Sequence, residues 1–274
     1  MNYTALWRQL AAVYDEREAR AIARYVLEEK FGMDTTDIYC GVELPDDDRM
    51  ADVVGRLMRK EPVQYVVGWT DFCDHRFAVG HGVLIPRPET GELVEHIIAG
   101  GHRSPTILDI GTGSGCIAIS LALGIDGAEV TAWDISREAL STARGNAEAL
   151  GAKVRLECRD ALAAPDDAGK WDVIVSNPPY ICNKERAAMD GNVLDHEPHT
   201  ALFVPDDDPL LFYRAITRYA RKALKPGGTL YFEINPLYAD DMTKMAKEEG
   251  FNDIRIIEDC FGKRRFAEIE GDWQ

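Results

Sequence analysis

The tetrapeptide Asn177-Pro178-Pro179-Tyr180 gathers, within one turn, groups suited to gripping a planar amino group. It directly follows the strand-like run Val173-Ile174-Val175-Ser176. Two consecutive prolines stiffen the backbone and remove two N–H donors. The Pro178 carbonyl is then available as an acceptor. Asn177 adds a side-chain carbonyl and an amide donor, and Tyr180 a flat ring for stacking. Two acceptors that hold both hydrogens of a conjugated NH2 bias its nitrogen toward a pyramidal, nucleophilic shape and aim it at an electrophile. Such catalysis is positioning plus stabilisation of positive charge developing on nitrogen, with no strong base needed first. A rigid strand-end turn without chemistry is the plainer alternative.

A second constellation lies upstream. The strand-like Thr106-Ile107-Leu108-Asp109-Ile110 runs into Gly111-Thr112-Gly113-Ser114-Gly115, where glycines permit a sharp turn and close approach of a ligand. Dinucleotide sites use such loops too, but with the third glycine three residues after the second; here the gap is two, and Cys116 starts the helix. Asp134, in Trp133-Asp134-Ile135-Ser136, closes the next strand, where an acid accepts hydrogen bonds from both ribose hydroxyls. Its alternative role is to cap the following helix, which Ser136 fills better. Arg159-Asp160-Ala161 closes the strand after that and puts a carboxylate within reach of an adenine amine. Loop, ribose acid and adenine acid arrive at successive strand ends, as for a nucleoside lying across a sheet edge. The candidate cofactor-binding residues are Asp109, Gly111, Thr112, Gly113, Ser114, Gly115, Asp134, Ile135, Asp160 and Ala161, with Asn177 shared by both constellations. S-adenosyl-L-methionine, which carries no pyrophosphate, suits this set.

The elements that must position these groups follow from periodicity. Apolar residues at helical spacing predict a helix over about 4 to 30 and another from about Asp47 to Lys60, just after Pro45. Val63-Gln64-Tyr65-Val66-Val67-Gly68 is β-branched and aromatic, as strands are, and the stretch to Thr90 reads as a hairpin followed by an irregular loop. From residue 91 helices and strands alternate, which predicts a mostly parallel sheet covered on both faces. The segment 209–228 reads as a helix closed by Pro226-Gly227-Gly228. The last two strands have no helix between them and form an antiparallel edge hairpin. The expected organisation is a small all-α domain (1–62), a β-hairpin linker (63–90) and an α/β catalytic domain (91–274).

Composition narrows the function classes. With 274 residues, 46% of them hydrophobic, the chain can bury a sizeable core. No apolar run approaches the length of a bilayer span, and the N-terminus does not read as a secretory signal. A cytoplasmic protein is expected. Six scattered cysteines without a CxxC pair imply free thiols. A net charge of −16 argues against extended nucleic-acid contact, and with no spanning run no membrane partner is expected. The runs Asp46-Asp47-Asp48 and Asp206-Asp207-Asp208 read as solvated loops rather than metal sites. His196 and His199 flank Glu197 at a spacing that suits a metal, but a substrate-side loop is the better reading, and no metal is expected.

These residues together resemble the HemK/PrmC family, the release factor glutamine methyltransferases, over nearly the whole chain. Besides the proline turn and the glycine loop, the resemblance covers Glu61 to Tyr65 with Gly68, Leu84-Ile85-Pro86-Arg87-Pro88-Glu89-Thr90, Glu197-Pro198 before Ala201-Leu202, and Leu224 to Gly228. It implies a Rossmann-like class I methyltransferase domain whose mostly parallel seven-stranded sheet carries an antiparallel edge hairpin. Helical N-terminal and hairpin linker regions precede that domain, and the helical part serves substrate recognition. The implied reaction uses S-adenosyl-L-methionine to methylate the glutamine amide in the Gly-Gly-Gln motif of class I peptide chain release factors. A monomer is the simplest assembly. Pro-Arg-Pro-Glu-Thr after Ile85 separates this family from the similar one acting on a ribosomal protein. The resemblance makes Pro86, Arg87, Glu89 and Glu197 substrate-side candidates beside Asn177, Pro178, Pro179 and Tyr180. An ion pair within the linker is the alternative for Arg87 and Glu89. This chain departs from the family where Gly91 interrupts an acidic pair, where His196 replaces tyrosine, where the loop Val204 to Asp208 lacks a glycine-rich turn, and where Asn235-Pro236 stands in place of a glycine. Two other functions share parts of this pattern. One is methylation of the adenine exocyclic amine, which Asn-Pro-Pro-Tyr also serves but which needs a cationic surface. The other is a non-catalytic cofactor-binding protein that docks on the translation machinery.

Overall fold

In the computed structural model, which describes residues 1–44 and 47–271, the chain forms two compact units. One comprises Met1–Trp69 with Met189–His196; the other comprises Thr70–Ala188 with Glu197 onward. Pro45 and Asp46, read above as a helix-start signal and part of an acidic run, lie outside the described residues.

The first unit is helical: α1 (Tyr3–Leu10), α2 (Glu16–Phe31), α3 (Thr35–Cys40), α4 (Asp48–Met58) and α5 (Val63–Val67). The single helix expected over 4 to 30 is two, because Asp15 caps a fresh start by accepting from Glu18 N at 2.8 Å. The expectation that Val63–Val67 is extended is corrected as well. Pro62 and the left-handed Gly68 bracket it as one short helix that buries Tyr65 and Val66, so burial overrides β propensity. Leu6, Leu10, Ala23, Leu27, Val53 and Leu57 form the core of this unit.

The second unit begins with the hairpin β1 (Trp69–Phe72) and β2 (His75–Ala78), followed by α6 (Pro88–Ala99). Then come β3 (Thr106–Ile110), α7 (Cys116–Gly124), β4 (Glu129–Asp134), α8 (Arg137–Leu150), β5 (Val154–Cys158) and β6 (Trp171–Ser176). Short pieces follow: β7 (Ile181–Cys182), α9 (Gly191–His196, part of the helical unit), α10 (His199–Leu202) and β8 (Phe203–Val204). The chain closes with α11 (Leu211–Ala223), β9 (Leu224–Glu233), α12 (Ala239–Glu248), β10 (Asp253–Glu258) and β11 (Arg264–Glu270). The helix expected to run into Pro226-Gly227-Gly228 stops at Ala223, and those residues already belong to β9.

Seven strands pair in the order β10-β11-β9-β6-β3-β4-β5. All are parallel except β11, which runs antiparallel to both of its neighbours. This is the mostly parallel sheet with an antiparallel edge that the alternation predicted. Alternate residues fill the two faces: Leu108, Ile174 and Leu230 pack with α11 and α12, whereas Ile107, Val173 and Tyr231 pack with α6 and α7. Strand ends β3, β4, β5 and β6 therefore lie side by side along one edge.

A buried side chain that the local pattern did not flag locks that edge. Asn146 on α8 accepts from Ala78 N at 2.7 Å and donates to Ala78 O at 3.0 Å and Ser114 O at 2.9 Å. It joins the hairpin to the glycine loop. Asn146→Ala leaves the buried Ser114 carbonyl without this partner, at about 1–3 kcal/mol, and exposes the part-buried Ala78 groups to water at a smaller cost. Urea denaturation of the variant is expected to show a matching loss of unfolding free energy; a midpoint equal to the parent's refutes the bridge.

Candidate active site

The carboxyl edge of the sheet opens into a cleft of about 390 Å³ in the second unit. Its walls include Gly111, Gly113, Asp134, Ile135, Asp160, Ala161, Asn177, Pro178 and Pro179. Leu84, Pro198, Ala201 and Phe203 complete the far side. The cofactor constellation and the proline turn thus share one cavity, of the size and mixed apolar character of small-molecule sites.

The glycine loop is held from behind. Gly111 N and Thr112 N both donate to Trp133 O at 2.9 Å, and Gly113 N donates to Asp134 Oδ2 at 2.9 Å. Gly111 and Gly113 have left-handed backbones, and a Cβ on either meets no protein atom within 4 Å. The loop therefore presents bare backbone to the cavity. At Gly115 the need is different, since a Cβ there comes within 2.9 Å of Ile119 and 3.0 Å of Ala143. Glycine there allows α7 and α8 to pack closely.

Asp134 uses one oxygen on Gly113 N and the other on Ser136 N, at 2.8 Å. Ser136 takes the helix cap by accepting from Ala139 N, so the carboxylate faces the cavity rather than serving as the cap. Asp160 accepts from Leu162 N at 2.8 Å and starts the turn at Ala161. Ile135 is 63% exposed, leaving an apolar side chain at the cavity lip.

Asp109, Thr112 and Ser114 are buried behind the loop. Thr112 Oγ1 donates to Asp109 Oδ2 at 2.6 Å, whereas Asp109 Oδ1 has no hydrogen-bond partner among the described residues. Burial pushes the Asp109 carboxyl up to about 7, against the opposing pull of the Thr112 hydroxyl.

Around the proline turn, Ser176 Oγ donates to Ile110 O at 2.7 Å and fixes the end of β6 on β3. Asn177 Nδ2 donates to Thr90 Oγ1 at 3.3 Å. The Tyr180 hydroxyl turns inward to Glu233 Oε1 at 3.0 Å, and burial beside that carboxylate raises its pKa. Asn235 Nδ2 donates to Tyr180 O at 3.2 Å. Thr90, Glu233 and Asn235 are not among the candidate site residues of the sequence analysis. Their contacts are long-range, and only the family-like Glu89-Thr90 segment and the departure at Asn235-Pro236 draw attention to any of them.

Arg87 pairs with Glu197 rather than Glu89, at 2.6 Å, and Glu197 also accepts from Ile85 N at 3.3 Å. Pro86 is buried in the same segment, and Glu89 lies in the first turn of α6. This pair, with Glu197 buried and Arg87 half-buried, ties the stretch ending at Thr90 to the loop carrying Pro198 and Ala201. His196 bonds Arg59 O at 3.1 Å within the helical unit, and His199 packs edge-on against Phe203. No cluster of three metal-ligating side chains occurs among the described residues, and no helix there is long and apolar enough to cross a membrane.

Residues 89–196 match the family described as "Methyltransferase small domain". A release factor glutamine methyltransferase of Bacteroides thetaiotaomicron is 46% identical over 268 residues, covering 96% of each chain. One from Flavobacterium psychrophilum is 38% identical across 98% of each chain. The chain belongs to the release factor glutamine methyltransferase family. The Thermus thermophilus 16S rRNA N2 G1207 methyltransferase, solved with AdoMet and guanosine, shares the fold, with a TM-score of 0.53 at 19% identity over 75% of this chain and 50% of that one. The family's cofactor is S-adenosyl-L-methionine. The bare glycine backbone, the cavity-lining Asp134 and the apolar lip at Ile135 fit a nucleoside that carries no phosphate.

Two outcomes follow. Asp134→Ala removes an acceptor worth about 1.5–3 kcal/mol per charge-assisted bond and also frees Gly113 N. Calorimetric titration with S-adenosyl-L-methionine is expected to show more than about tenfold weaker binding; an unchanged Kd removes Asp134 from the cofactor site. For Asp109 the folded carboxyl keeps a proton that the unfolded chain releases between pH 3.8 and about 7. Its burial therefore costs stability as pH rises through that window. Asp109→Asn is expected to raise the Tm of the unliganded protein above the window, with the gain shrinking toward its acid end; a pH-independent difference refutes the assignment.

Proposed function

We propose that this protein transfers the methyl group of S-adenosyl-L-methionine to the side-chain amide nitrogen of the glutamine in a Gly-Gly-Gln motif of a class I peptide chain release factor. One observation carries the reading: the proline turn lines the same cavity as the glycine loop and Asp134. When bound, the cofactor supplies a sulfonium methyl whose C–S bond breaks as the new N–C bond forms. The backbone of Gly111 and Gly113 with Asp134 holds the nucleoside, and Ile135, Asp160 and Ala161 flank its base. Asn177 Oδ1 and the Pro178 carbonyl accept the two hydrogens of the glutamine amide, turn its nitrogen toward the methyl and stabilise the charge that develops there. The alkylated amide then loses one proton to water. Pro179 keeps the corner rigid, and Tyr180 anchors it through Glu233. Pro86, Arg87, Glu89 and Glu197 shape the substrate side of the cleft, with the Arg87–Glu197 pair tying its two loops together. The helical unit is the part assigned to holding the protein substrate. The enzyme acts in the cytoplasm as a monomer.

The net charge of −16 disfavours the adenine reading, since a flipped base brings its phosphates with it. The test is incubation of enzyme and cofactor with a purified release factor, its Gly-Gly-Asn variant, or DNA, followed by mass spectrometry. One added methyl group on the Gly-Gly-Gln peptide alone is expected; label on DNA or on the Gly-Gly-Asn protein overturns the proposal. Asn177→Ala is expected to lower kcat roughly 10²–10³-fold, as loss of a transition-state contact does, with cofactor binding retained. A variant rate equal to the parent's refutes the role of Asn177.

A further inference from the structure

A side-chain amide has two orientations of nearly equal shape, with oxygen and nitrogen exchanged. Sterics alone therefore cannot make Asn177 an acceptor toward the cleft. Something must read the polarity of the amide, and the residues behind it do so. The Thr90 hydroxyl, buried at the start of α6, has one hydrogen, and it points to Glu233 Oε2 at 2.6 Å. The Thr90 oxygen is then left to accept, and it does so from Asn177 Nδ2 at 3.3 Å. The other Glu233 oxygen accepts from the Tyr180 hydroxyl at 3.0 Å. Burial raises the Glu233 pKa against the pull of its donors Thr90 and Tyr180 and the Arg265 charge, and in its ionised form the carboxylate has no hydrogen to give. It forces Thr90 and Tyr180 to donate, which forces Asn177 to turn Nδ2 inward. The chain Asn177–Thr90–Glu233–Tyr180 begins and ends in the same tetrapeptide. Glu233 is 1% exposed, so water cannot substitute for a missing partner.

We propose that Thr90 and Glu233 are positioning residues that set the polarity of the Asn177 amide, presenting Oδ1 rather than Nδ2 to the substrate NH2. This deepens the function proposed above and rests on Asn177 acting there as an acceptor. Neither residue touches the reacting atoms. Thr90 acts through Asn177, and Glu233 acts through Thr90.

The discriminating variants keep volume and change hydrogen bonding. Thr90→Val removes the relay; kcat is expected to fall roughly 10²-fold, the scale of a misoriented catalytic contact, with cofactor Kd close to the parent's and Tm lowered, since the buried Glu233 loses a donor. Thr90→Ser restores the hydroxyl and is expected to recover most of the rate. Glu233→Gln, whose amide can give a hydrogen to Thr90, is expected to lower kcat while retaining cofactor binding. A second readout is independent of turnover. In 15N-labelled protein the side-chain NH2 signal of Asn177, assigned by its disappearance in Asn177→Asp, is expected to be protected from exchange in the parent and in Thr90→Ser, and unprotected in Thr90→Val. Equal rates for the valine and serine variants, a parental rate for Glu233→Gln, or an Asn177 signal indifferent to Thr90→Val overturns the proposal. Failure of the parent to methylate the release factor sinks the function reading instead, while the amide signal still tests the relay.

Discussion

A carboxylate buried at the end of the longest strand of the sheet must be surrounded by donors, because an unpaired buried charge costs several kcal/mol. Glu233 is that group, and the donors it recruits come from separate parts of the chain. Thr90 comes from the first turn of α6 and Tyr180 from the proline turn after β6. The Arg265 guanidinium on β11, itself bound to Asp259 at 2.8 Å, adds positive charge that favours the ionised form against burial. Tyr213 on α11 donates to the main-chain carbonyl of the same residue at 3.1 Å. Satisfying one acid thus pins α6 and the proline turn at the edge of the sheet where the cavity opens, and the main-chain bond from Tyr213 adds α11. That is why the proline turn sits where it does.

The cavity divides into two halves built on different principles. The cofactor half rests on backbone at the glycine loop, whose N–H groups are tied to Trp133 O and Asp134, with Asp134, Ile135 and Asp160 lining it beside the loop. Backbone held in this way is preorganised, so binding does not have to order it. The substrate half is side chains and proline rings, and its polarity depends on a relay rather than on shape. The two halves meet where Ser176 locks β6 to Ile110 on β3. That hydrogen bond adds to the parallel pairing of β3 with β6, in which Ile110 lies opposite Ser176, so the bases of the glycine loop and the proline turn are held together.

How much of this was legible in the sequence depends on the range of the contact. The glycine loop, Asp134 and the proline turn are strand-end features, read from a few consecutive residues; Gly111, Gly113, Asp134 and Asn177 to Pro179 line one cavity, while Tyr180 turns inward to Glu233. The alternating pattern also led to the parallel sheet and its antiparallel edge. What stayed hidden acts over long separations. Asn146 holds Ala78, Thr90 holds Glu233, and Glu197 holds Arg87, and in each case neither partner's neighbours announce the other. Local propensity also misled where tertiary burial decided, as at Val63–Val67. The apolar periodicity across residues 4 to 30 hides the break that the Asp15 cap makes.

The departures from the family pattern become intelligible on the same footing. Gly91 stands where an acid is usual, and a Cβ there already lies 3.6 Å from Cys73 Sγ and 3.7 Å from the Phe72 ring. An acid at this position would have to bury its charge against the hairpin. Asn235 replaces a glycine, yet its amide is fully used: it donates to Tyr180 O and to Glu185, and accepts from Leu237 N at 3.0 Å. Glu185 in turn accepts from Cys182 N at 2.9 Å, just beyond the turn. Tyr180 is therefore held at both ends, its hydroxyl by Glu233 and its carbonyl by Asn235. A substitution that breaks the family pattern adds a second clamp to the corner that the pattern exists to hold, so the constraint on this site is the rigidity of the proline turn rather than the identity of every residue supporting it.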